Sequence, residues 1–141
     1  MVPRLFLAAL LALPSAPALA APDAAGLWTA GAPTTLVRVE MCGANLCARL
    51  VNSVALQRSP QATDANNRDT ALRGRPLKGV TILQGLKRDG DVWRGGQIYN
   101  PADGKTYAAE VSLDGLDQLK IKACILAPMC RTQTWTRAAK P

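Results

Sequence analysis

GVTILQGLKRDGDVWRGGQIYNPADGKTYAAEVSLDGLDQLKIKACI (residues 79–125) decides the fold class. Three turn signals divide it: Asp89-Gly90, Asn100-Pro-Ala-Asp-Gly104 and Asp114-Gly115. Such pairs favour the tight, positive-φ turns that join antiparallel strands. The runs between them alternate with the period of two that places successive side chains on opposite sheet faces. Tyr107, Ala109, Val111 and Leu113 fall on one face, and so do Leu119, Ile121 and Ala123. The pattern extends in both directions. Thr35 to Met41 puts Val37, Val39 and Met41 on one side and Arg38 and Glu40 on the other. It returns as Leu46 to Val51 across a turn in which Gly43 and Asn45 tolerate positive φ. Arg131 to Arg137 makes a last strand, and Gly26-Leu27-Trp28 a first. About eight short strands joined by hairpins, without a helical pattern, predict an all-β fold. The expected architecture is a small, eight-stranded antiparallel up-and-down barrel, because closure removes exposed sheet edges.

The segment from Val54 to Lys78 breaks the rhythm. It is polar, contains Ser59-Pro60 and Asn66-Asn67, and does not alternate. A connection this long reads as a lid, a binding loop or a disordered segment. Asp69 to Arg73 can form a helical turn capped by Asp69 and stopped by Gly74.

Residues 1–20 read as a secretory signal peptide: Arg4, an apolar run from Leu5 to Leu13, then Ala18-Leu-Ala20. The run is too short to span a bilayer. Residues 21–141 then form one exported domain of about 120 residues, periplasmic or secreted, in a compartment where thiols oxidise. No second apolar run reaches membrane-spanning length, and the signal has no cysteine at its end, so a soluble product without a lipid anchor is expected. Removal of Arg4 lowers the formal charge from +7 to +6. A basic exported domain suits an anionic envelope component. The dispersed basic residues and the compartment argue against nucleic acid.

The cysteines form two close pairs, Cys42-Gly-Ala-Asn-Leu-Cys47 and Cys124-Ile-Leu-Ala-Pro-Met-Cys130. Four cysteines allow three pairings, of which local pairing is the simplest. The competing reading is a four-cysteine metal site, disfavoured by spacing and export. No C-x-x-C redox motif occurs.

The chain has no histidine, which excludes Ser-His-Asp and Cys-His catalysis and removes the commonest zinc ligand. No catalytic residue, cofactor or metal is expected, and the chain is not read as an enzyme. Asp64 to Asp69 fails as a calcium loop: Arg68 takes a ligand position, Asp69 replaces the glycine, and Arg75 stands where a closing glutamate belongs. Candidate binding residues remain. Arg73 and Arg75 either grip an acidic ligand or anchor the long loop through Asp64 or Asp69. Tyr99 and Tyr107 either line a pocket mouth or form a cross-strand aromatic pair. Trp28, Trp93 and Trp135 either plug the barrel or line its cavity.

Several segments resemble a known family. They are Gly26-Leu-Trp28, Cys42 to Cys47, Asp69-Thr-Ala-Leu-Arg-Gly-Arg-Pro-Leu-Lys-Gly79, Gly96-Gln-Ile-Tyr-Asn-Pro-Ala-Asp-Gly-Lys-Thr-Tyr107 and Arg131 to Arg137. Together they resemble the bacterial envelope proteins grouped as domain of unknown function 2147, over nearly all of the mature region. The resemblance implies a lipocalin-like, eight-stranded barrel; the family has no general assigned function, so it lends no catalytic residue to this chain.

Two functions follow as expectations. The first is a small, partly apolar, lipid-like ligand held in the barrel, its tail against Val37, Val39, Val111 and Ile121 and an acidic head met by a loop arginine. The second is a filled barrel that docks on an anionic partner or membrane surface. Inhibition of lysozyme is one form of the second, opposed by the like charge of the two proteins. A hollow interior separates the first from the second.

Overall fold

A computed structural model describes residues 12–15, 23–126 and 128–138. Apart from residues 12–15, the expected signal peptide lies outside the described residues. Eight strands follow in order: β1 Gly26–Ala30, β2 Leu36–Cys42, β3 Asn45–Asn52, β4 Thr81–Asp89, β5 Val92–Asn100, β6 Lys105–Asp114, β7 Gln118–Leu126 and β8 Met129–Arg137. Each pairs antiparallel with the next, and β8 closes on β1 through Trp28 opposite Arg137 and Ala30 opposite Trp135. The result is the closed up-and-down barrel expected from the hairpin spacing. Two local disulfides join Cys42 to Cys47 and Cys124 to Cys130, with Cα separations of 5.8 and 4.0 Å. Both pairs fit an oxidising compartment. No helix among the described residues is long and apolar enough to cross a membrane.

Four local expectations are corrected. The β2–β3 turn is Gly43-Ala44: Gly43 alone takes a positive φ, 65°, and Asn45 already pairs with Cys42. Met41 does not join Val37 and Val39 in the core but is 52% exposed, since it stands next to the turn where the interior ends. The long loop opens with a helix, α1, Val54–Arg58, which periodicity cannot detect in one turn. Ser53 caps it by accepting the Leu56 amide at 3.3 Å, and Leu56 is buried. The anticipated turn near Asp69 is a 3-10 helix over Thr70–Leu72, capped by Asp69 and ended at Arg73 rather than Gly74.

The two ends of the barrel differ. At one end lie the tight turns after β2, β4 and β6, and the interior there is solid. Val39, Leu46, Leu86, Val111, Leu119 and Ile121 are at most 1% exposed. Gly96 makes that packing possible, because a Cβ there would strike the Gln84 carbonyl and the Leu86 side chain. Trp28 closes this end. Its indole donates to the Ala24 carbonyl at 2.9 Å, and the Arg137 guanidinium covers its ring at 4.3 Å. Arg137 is fixed in turn by donating to the carbonyls of Leu116, Ala25 and Asp23. One cation at the end of β8 thus satisfies three backbone acceptors, two from the segment before β1 and one from the β6–β7 turn. The other end, where β1, β3, β5 and β7 finish, carries the long loop and is hollow.

Candidate functional site

The hollow end is a cavity of about 1250 Å3. Its inner wall is apolar, formed by Val37, Leu50, Ile82, Ile98, Ala123 and Trp135. Of the four residues expected to hold a ligand tail, only Val37 lies here; Val39, Val111 and Ile121 belong to the solid half. The difference arises because alternation reports which face a residue occupies, not how far along the barrel it sits.

Among the described residues, two charged side chains line the cavity, Asp103 and Arg131. Asp103 is engaged: the Tyr107 hydroxyl donates to it at 2.6 Å and the Lys105 amide at 2.8 Å. Partial burial raises its pKa, but these two bonds outweigh that and hold the carboxyl below its ordinary value. The same bond, with burial adding to it, raises the Tyr107 pKa. Arg131 lies opposite Ala123, on the strand face it shares with Gln133 and Trp135. It makes no ion pair among the described residues, whereas Arg49, Arg75, Arg94 and Arg137 each have a carboxylate partner. Gln133 accepts from the Trp135 indole at 3.1 Å and so fixes the ring on the cavity floor. The cavity therefore combines an apolar body with one unengaged cation.

The long loop is strapped across the outside of this end by a buried polar cluster. Asp64 is 1% exposed. It accepts from the Tyr99 hydroxyl at 2.5 Å, from the Asn67 amide at 2.8 Å, and from Arg75 through Nε at 2.9 Å and Nη2 at 2.8 Å. Burial pushes the Asp64 pKa up, yet these bonds and the charge of Arg75 together bring it below the ordinary value. Tyr99 is pushed up to about 12 by burial first, then by the bond and charge of Asp64. A buried carboxylate costs several kcal/mol unless paired; here every near donor serves it. The strap continues where Asn66 donates to the carbonyls of Pro101 and Ala102. Gly104, at φ 71°, lets the loop approach, since a Cβ there would strike the Asn66 carbonyl.

The sequence-predicted residues divide accordingly. Arg75 and Tyr99 meet in the latch, and Arg73 supports it by donating to the Asn67 carbonyl at 2.7 Å. Asp69 pairs with neither arginine; it caps the 3-10 helix. Neither Arg73 nor Arg75 lines the cavity, although Arg75 borders a smaller groove of about 720 Å3 under the loop. Tyr99 and Tyr107 are not a cross-strand pair, since Tyr99 is opposite Thr106 and Tyr107 opposite Ile98, but both line the cavity. Trp135 lines the cavity, but Trp93 does not; it is buried in the solid half beneath the Arg88 guanidinium at 4.4 Å. Glu40 lies near both Cys42 and Cys47, but the sulfurs are bonded to each other and offer no thiolate to a metal. Sequence reasoning missed Arg131 as a candidate. Its signal was present: positions 131, 133 and 135 share a face with the predicted inward tryptophan.

Among solved structures, the chain is similar to protein HP1028 from the human pathogen Helicobacter pylori, described as belonging to the lipocalin family. The two share 24% identity over 85% of this chain and 86% of that one, with a TM-score of 0.74. This likeness shows the fold. No curated relative matches. A family model described as an uncharacterised protein conserved in bacteria, DUF2147, matches residues 26–137, and the chain belongs to that family.

Proposed function

We propose that the protein is an exported, non-catalytic binding barrel for a small amphipathic molecule with an acidic head. The observation that carries this reading is the cavity itself: a hollow, apolar half-barrel whose one unengaged charge is Arg131. Pockets that bind small molecules commonly span roughly 300–1,000 Å3 and pair apolar walls with a few placed polar groups. The head meets Arg131 rather than the loop arginines, which the latch already occupies. The tail lies along Val37, Ile82 and Ile98 towards the Trp135 ring. About eight buried carbons contribute roughly 6 kcal/mol before the costs of ordering. That corresponds to micromolar affinity at best, which suits carriage or sensing rather than storage.

Calorimetric titration with medium-chain fatty acids and the matching alcohols tests the reading. Arg131→Gln is expected to weaken the acid about tenfold, since a charge-assisted bond at a wet mouth is worth the lower part of its range. The alcohol is expected to bind the two forms alike. Equal loss for acid and alcohol would remove Arg131 from head recognition.

A further inference from the structure

We propose that the tip of the β7–β8 hairpin is a membrane-contacting prong, which seats on an anionic phospholipid bilayer and brings the cavity mouth against it. Ile125, Leu126 and Met129 are 73%, 74% and 66% exposed. They cluster at one turn, with Leu126 paired to Met129, and Cys124 is bonded to Cys130 immediately beneath. The disulfide fixes the tip in one shape, so insertion costs less ordering than a free loop would. The tip is also rim, since Ile125 and Met129 line the cavity.

Charge selects the occupant. The segment 53–80 carries Arg58, Arg68, Arg73, Arg75 and Lys78 against two acids, Asp64 and Asp69, and Arg131 adds a further positive charge. Of the ten acidic residues in the chain, only Asp64, Asp69 and Asp103 lie at this end, and Asp64 is neutralised by Arg75. Asp89, Asp91, Asp114 and Asp117 sit at the turns of the opposite end. An anionic surface therefore orients the molecule with its prong inward. A short apolar wedge beside basic side chains, as Ile125 shares a groove with Arg68, Arg75 and Lys105, is the pattern of interfacial anchoring, in which buried apolar area and head-group attraction act together. Leu116 and Met41, also exposed, stand singly on separate turns at the opposite end, where Arg137, Lys120 and Arg49 are paired with Asp117, Asp114 and Glu40.

The inference shares the mouth with the proposed function but does not require a ligand, and its readout is separate. Vesicle flotation of the mature protein is expected to show binding to phosphatidylethanolamine–phosphatidylglycerol vesicles and little to phosphatidylcholine alone, with loss at high salt. The change Leu126→Asp, at a tip residue that does not line the cavity, is expected to lower partitioning about tenfold, with the fatty-acid titration unchanged as a check on folding. In the Leu126→Trp protein, brominated lipid is expected to quench the added emission on anionic vesicles. Three results would overturn the prong: no binding of the native protein to anionic vesicles, equal flotation of the Asp variant, or an unquenched Leu126→Trp protein. Flotation without any fatty-acid binding would leave the prong standing and remove the cavity reading.

Discussion

Asp64→Ala probes the latch most sharply. Three groups lose their acceptor. The Tyr99 hydroxyl and the Asn67 amide are both buried, and each then carries the penalty of an unmet donor, about 1–3 kcal/mol apiece. Arg75 is 37% exposed and returns to solvent at little cost. The expected local loss is about 3–5 kcal/mol, the range for breaking one side of a buried pair. The barrel does not bear all of it. The loop can detach while the eight strands stay paired, so the global loss is capped by the free energy of loop opening. Urea unfolding is expected to show a loss of about 2–3 kcal/mol, while hydrogen exchange and limited proteolysis show faster opening across residues 60–78. Tyr99→Phe on the Asp64→Ala background should cost less than on the native one, because the donor it removes is already unpaired. A global loss below about 1 kcal/mol with unchanged protection of the loop would refute the latch.

The latch also has a pH signature. The folded pKa of Asp64 lies below its ordinary 3.8, so its contribution is complete above that value and is lost as pH falls through the lowered one. Loop protection should hold at neutral pH and fail in that acid window, and should fail less in Asp64→Asn, which has no carboxylate to titrate. Tyr99 behaves oppositely: with its pKa raised from 10.0 to about 12, its contribution is complete below pH 10 and declines as pH rises through about 12. Gly104→Ala combines a left-handed backbone with a clash against the Asn66 carbonyl, and should cost about 2 kcal/mol and free the loop, read as a lower melting temperature and new cleavage near Asn66.

The barrel was legible because hairpin turns and alternation are local properties. Asp89-Gly90 and Asp114-Gly115 mark their turns, and the faces of Lys105–Leu113 and Gln118–Ala123 match the structure. Depth along the barrel is not local. Nothing in the alternation of Val37, Val39 and Val111 separates the solid half from the hollow one, because closure sets that through the stagger of all eight strands. The latch was half legible for the same reason. Arg75 and Asp64 stand out by charge, but the role of Tyr99 depends on which face the β5 register presents. Arg131 was hidden by company: among many basic residues, only its register beside Gln133 and Trp135 distinguishes it.

If the hollow half-barrel is a binding site, it holds a passenger in its native envelope. Native mass spectrometry of the mature protein, taken from its own envelope and followed by lipid extraction, tests this directly. One bound amphipathic, acid-headed molecule per chain is expected, released by solvent and depleted in Arg131→Gln. A clean apo mass, with no thermal shift across a panel of acid-headed lipids, would contradict it.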